Sequence, residues 1–181
     1  MKTIFSIRQL SFLVITIILS ILSVYGQKKP VPTVDIHTAV VNGDIKTIKH
    51  HIASKSDLNE KEKFGGSTPL ISASLFGKTE IAKLLIDAGA KLNIQNNEGS
   101  TALITAAFFC KPEIVKMLLA KKADKTIKNK YGNTALETVS APFQDAKPIY
   151  DIMGSSLAPL GVKFDYEYLK KTIPQIAAML K

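Results

Sequence analysis

Histidine, cysteine and acidic side chains are the residues of this chain that could carry out chemistry. His50 and His51 are adjacent in a helical stretch, so they point about 100° apart around the axis and do not converge on one metal ion. Cys110 has no histidine near it in sequence, whereas a nucleophilic thiol needs a base within hydrogen-bond reach. The sequence contains no phosphate loop, dinucleotide fingerprint or zinc-ligand spacing. We therefore predict no catalytic residue, no metal site and no cofactor.

The acidic residues are spread along the chain rather than paired. Asp87, Glu98 and Glu113 are separated along the sequence and do not form an obvious pair of general acid and general base. The C-terminal tail leaves one alternative open. A cluster of perturbed titratable groups there would favour an enzyme or a toxin-neutralising protein, and its members would be Asp145, Asp151, Asp165 and Tyr166.

A repeat dominates the middle of the chain and must position every side chain in it. "GSTPLISASLFG" at Gly66 recurs as "GSTALITAAFFC" at Gly99 and as "GNTALETVSAPF" at Gly132, with a spacing of 33 residues both times. A stretch beginning at Asp35 fits the same frame, with one extra residue before Gly66. A fixed period of this length indicates stacked structural units.

Each unit has the pattern of a turn followed by two helices. Thr68, Thr101 and Thr134 are placed to cap the first helices, and Thr134 with Glu137 has the spacing of a capping box. Second helices show apolar residues at helical spacing. Gly89 is predicted to end one of them in the left-handed conformation.

The units resemble ankyrin repeats, and the best match is "GSTPLISASLFGKTEIAKLLIDAGAKLN". The resemblance covers roughly residues 33–143 and implies an all-α ankyrin-repeat solenoid of about four helix-turn-helix units with a C-terminal helical cap. We place the repeats at residues 27–143, with units at about 35–63, 64–97, 98–130 and from 131 onward. Residues 144–181 then hold the end of the last repeat, with its second helix near Asp145, followed by the cap.

The resemblance also implies structural roles for the candidate chemical residues. His37 keeps the family histidine, which makes hydrogen bonds near its turn. His51 lies in the frame of Leu85 and Leu118 and is expected to be partly buried. Cys110 stands where the family has glycine between the helices, so we expect a small, partly buried thiol. The alternative is a thiol that pairs between molecules or is oxidised.

The N-terminus has the order of a secretory signal peptide. Lys2 and Arg8 precede an uncharged apolar run, and Gly26 comes next as a small residue at the expected cleavage point. We predict a signal peptide at residues 1–26, a periplasmic or secreted protein, and no membrane association after cleavage. An uncleaved membrane anchor is the alternative. The resemblance extends to small exported bacterial ankyrin-repeat proteins.

Every Lys or Arg after Gly26 is a lysine, and the single cysteine excludes an internal disulfide. Readers of nucleic acid depend on arginine for bidentate contacts, so we expect no nucleic-acid partner. We expect a monomer with a solvated lysine-rich surface.

Apolar side chains at exposed positions of the repeat are the candidate binding residues. The last residues of two first helices should face the concave side, and two connectors add aromatic residues; together these are Leu75, Phe76, Phe108, Phe109, Phe64 and Tyr131. The alternative is that the tail or a long loop covers them. We predict a non-enzymatic scaffold that presents this surface to a protein. The alternative function is an auxiliary factor for an exported enzyme, such as one in oxidative-stress defence.

Overall fold

The computed structural model describes residues 30–181, so the predicted signal peptide lies outside the described residues. Over that range the regular structure is helical throughout, which confirms the all-α prediction. The α-helices are α1 Ile36–Asn42, α2 Ile45–Ala53, α3 Pro69–Phe76, α4 Thr79–Asp87, α5 Ala102–Phe108, α6 Pro112–Ala120, α7 Phe143–Leu157 and α8 Tyr166–Leu180. Single 3-10 turns occur at Glu137–Val139 and Ala158–Leu160. None of these helices is both long and apolar enough to cross a bilayer.

The helices stack in two parallel rows, as the 33-residue period predicts. The first helices α1, α3 and α5 pack side by side, and the 3-10 turn Glu137–Val139 continues their row. The second helices α2, α4 and α6 form the other row. Leu85 and Leu118, at equivalent positions of α4 and α6, are fully buried between the rows. Each unit therefore shares its core with its neighbours.

Threonine caps start the first helices. Thr68 Oγ1 accepts from the Ile71 amide and Thr101 Oγ1 from the Ile104 amide, each at 3.3 Å. Thr134 makes the capping box with Glu137, since its hydroxyl accepts from the Glu137 amide and its own amide donates to the Glu137 carboxylate. This cap nevertheless starts only the 3-10 turn, so the fourth unit has a shortened first helix.

Left-handed residues end the helices at the family's glycine positions. Gly89 has φ 88°, as predicted. Its equivalent in the next unit is Lys122, with φ 61°, and Cys110 takes the place of Gly77 with φ 50°. Because a side chain is unfavourable in this conformation, the third unit carries backbone strain that the second does not.

The prediction that the second helix of the fourth unit begins near Asp145 is wrong. The helix that packs along α6 is α8, and α7 packs against α8 instead. The physical reason lies in the 33-residue frame, which aligns the buried Ile114, Val115 and Leu118 of α6 with Lys147, Pro148 and Asp151 of α7. Two charges and a proline cannot fill that row. The amphipathic helix α8 does, by burying Leu169, Thr172, Ile173, Ile176 and Leu180.

Candidate binding surface

Tight turns between the units present one residue at each tip. The side chain of Asn96 accepts hydrogen bonds from the amides of Glu98 and Ser100 at 3.0 and 2.8 Å. Asn129 does the same for Tyr131 and Asn133, both at 3.0 Å. In each turn the amide oxygen replaces a backbone acceptor and fixes the residue two positions later at the tip.

Glu62 has this role in the first connector. Its carboxylate accepts from the amides of Phe64, Gly65 and Ser67 at 2.6, 2.6 and 3.1 Å. Partial burial acts to raise the pKa of Glu62, but these amide hydrogen bonds outweigh it and the pKa is lowered. The residue two positions after the acceptor is Phe64 in the first connector, Glu98 in the second and Tyr131 in the third, and we call these three residues the tip row. In the 33-residue frame the counterpart of Glu98 is Gly65, because the first connector contains one extra residue.

Hydrogen bonds between connectors tie the tip row together. The Asn97 amide donates to the Gly65 carbonyl at 2.8 Å, and the Lys130 amide donates to the Glu98 carbonyl at 3.0 Å. The Asn97 side chain also donates to the Phe64 carbonyl at 3.0 Å. The tips are thus held at fixed spacing, which reduces the conformational entropy lost when a ligand binds.

The two aromatic members of the tip row are open to solvent. Phe64 is 94% exposed and Tyr131 is 73% exposed. The Tyr131 hydroxyl donates to a carboxylate oxygen of Glu98 at 2.9 Å, and this hydrogen bond raises the pKa of Tyr131. Lys63 and Lys130, both exposed, lie beside the two aromatic residues in sequence. Such a row offers apolar area and positive charge to a partner, but no nucleophile.

The ends of the first helices differ between the second and third units. Leu75 and Phe76 are half-buried at the end of α3. Phe109 is only 6% exposed, and Phe108 is half-buried. The prediction that Phe108 and Phe109 lie open on the concave side is therefore wrong, and the tail covers them, as the alternative held.

Aromatic rings of the tail do the covering. The Tyr150 ring stacks on Phe108 with centroids 5.0 Å apart, and the Phe164 ring stacks on Phe109 at 5.8 Å. Tyr150 and Phe164 were missed in the sequence because neither belongs to the repeat. The sequence did carry a signal for this contact. The 33-residue frame places Lys147 and Asp151 in the core row, so this part of the tail could not continue the row, and the same tail contains several aromatic residues that need another place to pack.

Two of the three histidines make structural hydrogen bonds. His51 is buried, with Nε2 2.8 Å from the Val34 carbonyl oxygen and Nδ1 3.0 Å from the Ser56 hydroxyl. His37 donates through Nε2 to the Glu60 carbonyl at 3.1 Å, and its buried Nδ1 has no hydrogen-bond partner among the described residues. Within residues 30–181 no three His, Cys, Asp or Glu side chains gather as metal ligands.

Cys110 is more deeply buried than expected. Its relative exposure is 0%, and burial raises the pKa of its thiol to about 11. A thiol in this state is protonated and screened from solvent at neutral pH. The structure therefore favours the structural interpretation of Cys110 over the reactive one.

One group of coupled titratable residues does exist in the tail. Asp151 accepts from the Lys147 ammonium at 2.8 Å and from the Tyr166 hydroxyl, beside an open pocket of about 420 Å³. The hydrogen bond from Lys147 is the largest cause of the lowered pKa of Asp151, and the bond to Asp151 raises the pKa of Tyr166. Both shifts move the pKa values further from neutral pH, whereas a general acid or base requires a pKa near neutral pH. Asp165 is occupied as the N-cap of α8.

Comparison with known proteins gives the same fold. A family model described as ankyrin repeats in three copies matches residues 36–129. Chicken inversin is 41% identical over 59 residues, which is 33% of this chain and 5% of inversin. Human ankyrin repeat and SAM domain-containing protein 3 is 38% identical over 76 residues, or 41% of this chain and 11% of that protein.

Solved structures agree with this result. The ankyrin repeat domain of Bcl-3 superposes with a TM-score of 0.55 at 28% identity, over 57% of this chain and 45% of that one. The chain spans about a tenth or less of the length of the two curated relatives, so the likeness concerns the repeats and not those proteins as wholes. Since the family model covers more than half of the sequence and the two rows of helices match it, the chain belongs to the ankyrin repeat family.

Proposed function

We propose that this chain is a non-enzymatic scaffold that binds a protein partner through the tip row. The observation that carries the proposal is the pair Phe64 and Tyr131, which are 94% and 73% exposed on turns fixed by hydrogen bonds. A solvent-exposed aromatic ring has apolar surface that a partner can bury, and a rigid turn loses little conformational entropy when this happens.

The charges near the tips favour an acidic partner. Lys63 and Lys130 flank the two aromatic residues, and the sequence has 24 Lys and Arg against 15 Asp and Glu. Long-range attraction would accelerate association and make it weaken as salt is added. Leu75 and Phe76, at the end of α3, would extend the same surface on the concave side.

Export is part of the proposal. The charge, apolar and small-residue order of residues 1–26 supports secretion of a bacterial type, to the periplasm or outside the cell. Intact-mass measurement on protein isolated from the native host tests this step. We expect a chain beginning at Gln27. Soluble exported protein that retains residues 1–26 would contradict it.

Affinity capture tests the binding function. The chain from residue 27 onward is immobilised and exposed to the exported proteins of its host, beside an equal amount of the Phe64→Ser/Tyr131→Ser double variant. We expect a partner retained by the first and lost from the second. Lys116→Ala, on the exposed side of α6, is the matched control and should capture as the unchanged chain does.

A further inference from the structure

The helix α7 is an insertion inside the fourth repeat. In the first and second units the two helices are joined by two residues, Gly43–Asp44 and Gly77–Lys78. In the fourth unit the 3-10 turn ends at Val139 and the second helix, α8, begins at Tyr166. The row of second helices is completed by α8, which packs on α6 and on the 3-10 turn. The stack is therefore closed without α7.

The inserted segment covers one place on the repeat surface. Tyr150 stacks on Phe108 and donates its hydroxyl hydrogen to the Phe108 carbonyl at 3.0 Å, and Phe164 stacks on Phe109. The equivalent residues of the second unit, Leu75 and Phe76, are half-buried. The segment therefore covers the end of the first helix in the third unit, whereas the same position in the second unit remains partly open.

The inserted helix buries few side chains for its length, although the hydrogen bond from Tyr166 to Asp151 and the contact of Phe143 with Tyr166 join it to α8. Tyr150 is the buried residue among the fifteen of α7, whereas five residues of α8 are buried over the same length. Pro148 lies inside α7 and removes a helix hydrogen bond, and its N-terminus has no side-chain cap. Ile149 and Ile152 are 52% and 67% exposed. Few buried side chains and a missing helix hydrogen bond are features of a segment that opens locally.

We propose that the inserted segment, which is α7 with the residues that follow it to Phe164, is a built-in ligand for the end of α5, and that a partner helix carrying a tyrosine binds Phe108 and Phe109 by displacing this segment. The occupant is defined by what α7 itself supplies there, which is a helical segment with a ring over Phe108 and a hydroxyl for its carbonyl. The inference rests on the proposed binding function and gives it a second surface, one that is closed until α7 leaves. The solenoid stays capped by α8 throughout.

Hydrogen exchange on the intact chain from residue 27 tests the opening. Amides of α7 are expected to exchange about 100-fold faster than those of α6 and α8, because α7 opens alone. Equal protection of α7 and α8 would overturn the proposal, since the helix would then leave only when the repeats unfold.

A shortened chain tests the surface. Residues 141–164 are replaced by Gly-Lys, the turn of the second unit, and the probe is a fluorescent synthetic peptide of residues 143–164. We expect it to bind the shortened chain about tenfold or more tightly than the full chain, and a peptide with Tyr150→Ser to bind about tenfold less tightly. Equal binding to both chains, no binding to the folded shortened chain, or failure of that chain to fold would each overturn the proposal. Neither measurement involves the tip row. A negative result in these two experiments therefore leaves the proposed function of the tip row standing, and a negative result for the tip row leaves these two results unchanged.

Discussion

Tyr150 and Phe108 are joined twice: their rings stack with centroids 5.0 Å apart, and the Tyr150 hydroxyl donates to the Phe108 carbonyl at 3.0 Å. This pair links the inserted helix α7 to the end of the repeat helix α5. The pair explains why Phe108, which the repeat pattern alone predicts to be exposed, is covered in the folded chain.

The hydroxyl of Tyr150 can be tested separately from its ring. Tyr150→Phe keeps the stacking and removes a hydrogen bond of about 1 kcal/mol, so the amides of α7 should exchange roughly fivefold faster. Tyr168→Phe is the control, because its hydroxyl lies at 3.3 Å from the Cys110 carbonyl and the side chain is 45% exposed. Unchanged exchange of α7 in Tyr150→Phe would show that this bond does not hold the helix.

The shared core predicts a large effect at Leu85. This side chain is fully buried, so Leu85→Ala should lower the free energy of unfolding by about 2–5 kcal/mol. Lys130→Ala, at an exposed side chain, should change it by less than about 0.5 kcal/mol. Urea unfolding followed by circular dichroism measures both. Similar losses in the two variants would mean that the repeat frame is misassigned.

Two connector glycines should differ in their tolerance of alanine. Gly99 and Gly132 both have φ above 70°, so each alanine variant should lose about 1–2 kcal/mol to the left-handed conformation. At Gly99 an added Cβ would also lie 2.9 Å from the Lys130 amide nitrogen, whereas nothing lies within 4 Å at Gly132. Gly99→Ala should therefore lose about 1–3 kcal/mol more in urea unfolding. Equal losses would indicate that the connectors do not stack as described.

The sequence predicted the repeated part of this fold and not the end of it. A period of 33 residues, threonine caps and Gly89 were sufficient for the stack, because each unit obeys the same local rules as its neighbour. The tail belongs to no repeat, so the position of α7 depended on long-range packing. Extending the frame to Lys147, Pro148 and Asp151 would have excluded α7 from the core row, since those residues cannot replace Ile114, Val115 and Leu118.

The candidate surface was predictable where it depends on turns. Phe64 and Tyr131 come after turn-forming connectors and are exposed, and the repeat register brings Glu98 between them. Phe108 and Phe109 occupy repeat positions of the same kind as Leu75 and Phe76, yet their exposure was decided by Tyr150 and Phe164, more than 40 residues away in sequence. Local pattern carries no information about such a contact.

Cys110 should react slowly in the folded protein. With the pKa of its thiol raised to about 11, the thiolate fraction at pH 8 is about 100-fold lower than for a thiol at the ordinary value of 9.0. Burial favours the neutral form in the folded chain, so this contribution to stability is complete below pH 9 and is lost as pH rises through 11. Iodoacetamide labelling at pH 8 should be at least about 100-fold slower than in urea. Comparable rates in the two conditions would contradict the burial of Cys110.

The dissociation constant of the tip-row double variant is the most direct test of the binding account. With the captured partner purified, titration calorimetry should show that Phe64→Ser/Tyr131→Ser binds about 100-fold or more weakly than the unchanged chain, because two aromatic anchors are lost. Circular dichroism should show the same helical content, since both side chains project into solvent. Lys116→Ala should bind as the unchanged chain does. A double variant that stays folded and binds within about twofold of the unchanged chain would contradict the tip row as the binding surface.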